Sequence, residues 1–284
     1  MHYTKGFIKL AYSSHHQHIA SWHWLGSQNM HLDVPNTTSC GKVIIGCYGG
    51  HTKAGADRNE DGALVWCADD ETWEFAVLLD GHCSTESVEL ILATLEAEAI
   101  AIQSLLSQSV ETAFSSLHQL LFSIFRSQSL RSRCRQVHGE TSCLICFRKA
   151  QFLSWFCIGD CIIYLFHPEL GQLEQFALNQ RNFYEWIGET NSFDLPVACY
   201  TTGIRELRGG RNRIIMTTDG LLEGHSRSRL PQQMQEAFMQ GHQKELEECI
   251  LTALLHVHQQ HGLDSATVIA WDYKNDAQVS YPNC

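Results

Sequence analysis

Five places in the sequence set a carboxylate beside a turn residue at the edge of an apolar run. Glu60-Asp61-Gly62 precedes ALVWCA, Asp80-Gly81-His82 comes after AVLL, and Gly159-Asp160 separates two apolar runs. Asp219-Gly220 comes after RIIMTT, and Asp264-Ser265-Ala266 leads into TVIAWDY. Taken singly, each reads as turn chemistry, because Asp and Gly are common turn residues. Asp80 is less ordinary. No second strand comes after it; Ser84-Thr85-Glu86 opens a helical stretch, so Asp80 stands at a strand-to-helix junction. If these strand ends converge, several carboxylates share one small space, and like charges about 4 Å apart repel by several kcal/mol at intermediate dielectric. A hard divalent cation with oxygen ligands, Mg²⁺ or Mn²⁺, is the natural neutraliser. Spacing alone does not establish the convergence.

The elements that must position these residues are legible in the pattern. KVIIGCYGG (42–50) reads as a strand, and ALVWCA (63–68) pairs with TWEFAVLLD (72–80) around the acidic turn Asp69-Asp70-Glu71. From Ser109, apolar residues recur at Val110, Ala113, Phe114, Leu117, Leu121, Ile124 and Phe125, the 3.6-residue stripe of a core-facing helix. SCLICFR, QFLSWFCIG and CIIYLF are joined by short connections and read as an antiparallel meander. Residues 167–210 read as irregular. A last helix presents Leu246, Cys249, Ile250, Ala253, Leu254 and Val257 on one face and ends near Gly262. No repeat or low-complexity linker divides the chain. The expectation is one domain over 42–284, preceded by an amino-terminal extension, 1–41, whose Trp22, Trp24 and Leu25 pack on it.

Composition excludes some partners. The chain has 284 residues, 44% of them hydrophobic, and a formal net charge of −11. An acidic surface disfavours nucleic acid and anionic membranes, both of which demand a basic face. No run approaches the roughly 18–20 apolar residues of a membrane span, and the amino terminus lacks the apolar core and cleavage site of a secretory signal. Twelve cysteines invite a zinc or disulfide reading. Cys143 and Cys146, however, lie three apart on a strand and point to opposite faces, so they cannot grip one metal. Reduced thiols imply a cytoplasmic protein. The histidine groups His15-His16-His18 and His256-His258-His261 read as solvated. Arg126, Arg131, Arg133 and Arg135 read as a solvated helix end, with a phosphate-binding patch as the alternative.

The ordered set NEDG (59–62), LLDGH (78–82), GETS (139–142), IGD (158–160), TTDGL (217–221) and DSAT (264–267) resembles the metal-dependent type 2C serine/threonine protein phosphatases. Any one motif is weak, but the six in this order are specific. The resemblance implies an α+β fold, a four-layer α-β-β-α sandwich of two stacked antiparallel sheets flanked by helices. It also implies two Mn²⁺ or Mg²⁺ ions and a weaker third. Asp80 would bridge two ions and the Gly81 carbonyl would bind one, while Asp219 and Asp264 would hold the other. Asp160 would share the third with Asp219, and Glu60 and Asp61 would order metal-bound water or bind directly. His82 would be the general acid, and the substrate a phosphoserine or phosphothreonine protein. A water activated by the ions would attack phosphorus with no covalent phosphoenzyme.

Two departures qualify the match. The family's phosphate-gripping arginine falls at Ala56, leaving Arg58 or Lys53 to supply the charge, and a lysine lacks the bidentate fork. Ser265 stands where an acid or asparagine is common. A catalytically impaired binding module, a phosphatase for small phosphomonoesters and a metal-dependent nuclease are the competing readings. The acidic balance counts against the last.

Overall fold

Two antiparallel sheets lie face to face in this computed structural model, which describes residues 18–222, 230, 232–240 and 245–281. The chain first lays down β1 (Ile19–Leu25), β2 (Asn36–Cys40), β3 (Val43–Tyr48), β4 (Gly62–Ala68) and β5 (Trp73–His82). Four helices come next: α1 (Glu86–Ala97), α2 (Ala99–Leu106), α3 (Val110–Arg126) and α4 (Gln128–Cys134). After them come β6 (Glu140–Lys149), β7 (Phe152–Ile158), β8 (Ile162–Phe166), the single turn α5 (Pro168–Gly171), β9 (Ile187–Gly188), β10 (Thr201–Glu206) and β11 (Gly210–Thr217). Helices α6 (Gln232–Gln240) and α7 (Leu246–Gln259) and strand β12 (Ala266–Asn275) complete the order. One sheet runs β1-β4-β5-β6-β7-β10, with β9 on β6, and the other runs β2-β3-β12-β11-β8. The fold is the α-β-β-α sandwich expected. The segments 19–25 and 36–40, which precede the expected domain start, are edge strands, β1 against β4 and β2 against β3.

Strand alternation explains the layers. On β6, Cys143, Ile145 and Phe147 face α1–α4, whereas Leu144 and Cys146 face the other sheet. This puts the two cysteines on opposite sides, and the eleven cysteines among the described residues are all free. Trp155, Ile163, Ile214, Ile269 and Trp271 fill the space between the sheets. The predicted helix over 110–125 forms as α3, with the Ser109 side chain accepting from the Thr112 amide at its start. Its stripe packs on Phe147 and Phe156. Helices α6 and α7 cover the outer face of the second sheet through Phe238, Ile250 and Leu254. No helix among the described residues is long and apolar enough to cross a membrane.

The expected meander is corrected at its third strand. β6 and β7 form the hairpin, but β8 pairs with β11 in the opposite sheet. Gly159, at φ +94°, turns the chain from one sheet to the other. The short connection could not reveal this, because a link as short as these three residues serves a crossover as well as a hairpin. The irregular reading of 167–210 is corrected too, since Thr201–Glu206 pairs with β7 as an edge strand. Its exposed sequence, TTGIRE, has little apolar content to signal a strand.

Gly159 cannot accept a side chain. A Cβ there would stand 2.4 Å from Ser142 Cβ, and the positive φ adds backbone strain. Gly159→Ala is expected to lower stability by about 2–4 kcal/mol, the sum of strain and overpacking. Urea denaturation checks this; an unchanged midpoint would mean the crossover tolerates a side chain.

Candidate functional site

Antiparallel pairing brings the acids together. The start of β4 lies beside the end of β5, with Gly62 opposite Leu79, so Glu60-Asp61 and Asp80 meet at one edge of the first sheet. In the second sheet the end of β11 lies beside the start of β12, with Thr217 opposite Val268, which joins Asp219 to Asp264. Asp160 sits on the crossover between the sheets. Strand β5 runs past Asp80 to His82, paired with Ser142, Thr141 and Glu140, so the junction falls after the histidine. Close approach depends on missing side chains. A Cβ on Gly81 would lie 2.5 Å from the Glu60 carbonyl oxygen, and one on Gly220 would lie 1.9 Å from the Ser265 carbonyl oxygen.

Asp61 is fully buried and tied to the second sheet by hydroxyls. Ser265 Oγ donates to Oδ1 at 2.8 Å, and Thr267 Oγ1 and Thr218 Oγ1 donate to Oδ2 at 2.6 and 3.4 Å. Burial pushes its pKa up to about 6, with these donors pulling against the shift and Asp219 adding to it. Burial also raises Asp80 well above the ordinary value, and the charges of Asp61, Asp219, Asp264 and Asp160 add to the effect. Asp160 is raised by burial and by Asp219, with Arg181 opposing, and burial raises Glu60. Asp264 Oδ1 accepts from the Ser265 amide at 2.9 Å.

The remaining predicted residues lie around this cluster. The His82 side chain is half exposed, with Nδ1 3.9 Å from Asp80 Oδ1, beyond hydrogen-bond reach, and its ring meets Trp186 edge-on at 4.9 Å. Arg58 is exposed, with Nε 3.3 Å from Glu60 Oε1, and Lys53 is exposed on a short turn, Thr52–Ala54. Ala56 is buried.

Sequence reasoning missed Arg181 and Trp186. Arg181 Nη2 donates to Asp160 Oδ2 at 3.0 Å and to Asp219 Oδ2 at still closer range. Both residues sit in the stretch read as irregular, where no periodic pattern marks them; the aromatic run FYEW was the available signal. The segment is anchored by β9 on β6 and by the turn Ser192–Asp194. Arg131 Nε and Arg135 Nη2 donate to Asp194 Oδ1 at 2.5 and 3.0 Å. That corrects the solvated reading of these two arginines.

The cluster suits hard divalent cations. Asp80 Oδ2, Asp160 Oδ1 and Asp219 Oδ1 are buried without a hydrogen-bond partner among the described residues, and the donor set is oxygen throughout. A second group, Asp33, His51 and His258, has ligand atoms within 4.8 Å of one another. The rings of His51 and His258 stack at 4.6 Å and 3°, so their lone pairs lie in separate parallel planes and one ion cannot lie in both. His261 also stacks on His51, at 4.5 Å. Of the carboxyl-terminal histidines, His258 is half-buried against His51 and Tyr48, a correction to its solvated reading, while His261 is exposed; His15 and His16 lie outside the described residues.

A two-sheet sandwich with an acidic edge of this kind defines a class, and comparison with solved structures identifies that class by fold. A bacterial serine phosphatase is 14% identical, with a TM-score of 0.59 over 83% of this chain and 99% of that one. The serine/threonine phosphatase Stp1 from Staphylococcus aureus is 12% identical, with a TM-score of 0.58 over 91% and 95%. RsbX in complex with magnesium is 15% identical, with a TM-score of 0.52 over 84% and 98%. The chain therefore has the fold of these phosphatases. No protein-family model and no curated protein matches its sequence.

Raised carboxylate pKa values have a definite sign. Between the ordinary 3.8 and about 6, native Asp61 holds a proton the unfolded chain has lost, so stability falls as pH rises through this window. In EDTA the melting temperature is expected to fall from pH 5 to 7, and millimolar Mn²⁺ to remove the slope. Asp80→Asn should raise the melting temperature in EDTA, by about 2–4 °C per kcal/mol of repulsion relieved, and abolish the response to Mn²⁺. Scanning calorimetry with and without the ion reads both; a lower melting temperature for the variant in EDTA would contradict the crowding.

Proposed function

We propose that the protein is a metal-dependent phosphomonoester hydrolase whose substrates are phosphoserine and phosphothreonine in proteins. The observation that carries this reading is the convergence of Asp61, Asp80, Asp160, Asp219 and Asp264 at one edge of a sandwich with the serine phosphatase fold. Asp80 lies among the other four acids and keeps an unpartnered buried oxygen, so it is assigned to two ions, with the Gly81 carbonyl on one of them. Asp219 and Asp264 are assigned to the other. Bound Mn²⁺ or Mg²⁺ would lower the pKa of a water towards neutrality and stabilise charge on the phosphoryl oxygens.

The chain's own groups do the rest. Asp61, with both oxygens taken by hydroxyls, holds the two sheets in register at the site and orients its surroundings. Glu60 lies beside it, paired with Arg58. Arg58 is the exposed cation nearest in sequence to the acidic pair and is assigned to the substrate phosphate. His82, half exposed and steered by Trp186, is assigned to protonate the departing serine or threonine oxygen, for which an imidazole suits neutral pH. The net acidic balance supports a basic phosphopeptide as the better substrate.

Hydrolysis of p-nitrophenyl phosphate and of a phosphothreonine peptide, with Mn²⁺, with Mg²⁺ and with EDTA, tests the reading. Turnover with the ions and none in EDTA is expected, and Asp80→Ala and Asp219→Ala should each lose at least about 100-fold while folded. Ion binding by calorimetry without any turnover would favour the binding-module reading instead. His82→Ala has its own signature. It should slow the peptide by about 10²–10⁴-fold and p-nitrophenyl phosphate far less, because nitrophenolate leaves without a proton. Equal loss on both substrates would remove His82 from the general-acid position.

A further inference from the structure

The resemblance assigns Asp160 and Asp219 to a third, weaker ion. In this chain a side chain already lies between them. Arg181 Nη2 donates to Oδ2 of both carboxylates. The side chain is 8% exposed, and the guanidinium carbon lies 4.6 Å from the centroid of the Phe183 ring. Its place is set by its neighbours. The Asn182 amide donates to the Gly159 carbonyl at 3.1 Å, next to Asp160 itself, and Ile187-Gly188 pairs with Thr141-Glu140. The arginine is thus held at the crossover by backbone bonds on the same turn that delivers Asp160.

A divalent ion bound by the same two carboxylates would stand within about 4 Å of the guanidinium, a repulsion of several kcal/mol at intermediate dielectric. Only one cation fits. The guanidinium is charged at every accessible pH and tethered to the chain, so it competes as an intramolecular ligand against an ion drawn from solution. The two N–H groups of one of its terminal nitrogens, Nη2, serve two carboxylate oxygens at once. Asp219 still has a use for ions, since its Oδ1 is unpartnered and buried while Oδ2 faces the arginine.

We propose that Arg181 is a built-in cation that takes the place between Asp160 and Asp219, so that the site holds two exchangeable divalent ions and not three. The inference rests on the metal-dependent reading above. It makes Arg181 a positioning residue, which fixes Asp219 for its ion and supplies one permanent positive charge where a weakly held ion would come and go.

Counting ions tests this separately from activity. Native mass spectrometry of the full chain across a Mn²⁺ titration, supported by manganese anomalous peaks in crystals, gives the stoichiometry. The wild type is expected to take two Mn²⁺. Arg181→Met, which keeps the stem and removes the charge, is expected to take a third, and Arg181→Met with Asp160→Asn to return to two. Arg181→Lys, which keeps a tethered charge, should hold the count at two and serves if the methionine variant fails to fold, since three ions in it would overturn the proposal. Three ions in the wild type, or two in folded Arg181→Met, would overturn it while leaving the metal-dependent reading standing. No bound Mn²⁺ in any variant would overturn both.

Discussion

Mutual repulsion among buried carboxylates is the constraint to which the rest of this structure answers. Asp61 and Asp80 are almost without solvent contact, and water cannot screen them. The fold keeps them side by side because each terminates or begins a strand whose interior is locked in one of two apolar layers. The energy stored there is offset locally in two ways. Hydroxyls of Ser265, Thr267 and Thr218 aim at Asp61, and the Arg181 guanidinium faces Asp160 and Asp219. Asp80 receives neither, which is why it is the carboxylate most in need of an external cation.

The sandwich can impose this crowding because its two sheets share one edge. Asp61 comes from the first sheet and its hydroxyl partners from the second, so the hydrogen bonds that satisfy it also staple the layers. Ser265 has a clear part in this. An acid in its place would set a further negative charge against Asp61 Oδ1, where the serine instead supplies a donor at 2.8 Å. Glycines at 81, 159 and 220 let backbone pass backbone at distances no side chain would allow. Precision at the site is therefore a property of close main-chain packing as much as of the charged groups.

Positive charge is arranged differently here from the pattern of the resembling phosphatases. The place of their arginine is Ala56, which is buried, and Arg58 at the rim engages Glu60. The guanidinium bonded to Asp160 and Asp219 comes instead from the loop before β9. That loop is held by β9 on β6 and, through Trp186 bonded to Ser192, by the following turn, whose Asp194 accepts from Arg131 and Arg135 at the end of α4. A helix end on the outer layer thus steadies the segment that carries Arg181 and Trp186 to the acids.

The layers and most of the acids are written in the linear pattern of residues. Apolar runs bounded by Asp-Gly pairs mark the strands because a strand buried on both faces must be apolar throughout, and turn chemistry marks its ends. The 3.6-residue stripe from Val110 to Phe125 marks α3 for the same reason of burial. The order of six short motifs then pointed to the fold. Three things needed the folded chain: which sheet β8 joins, the stacking of His258 on His51, and the reach of Arg181 to Asp160 and Asp219. A crossover and a hairpin can use similarly short links, and a loop has no period to read. Contacts between residues 21 and 38 positions apart are set by the path of the chain through space, not by any local pattern.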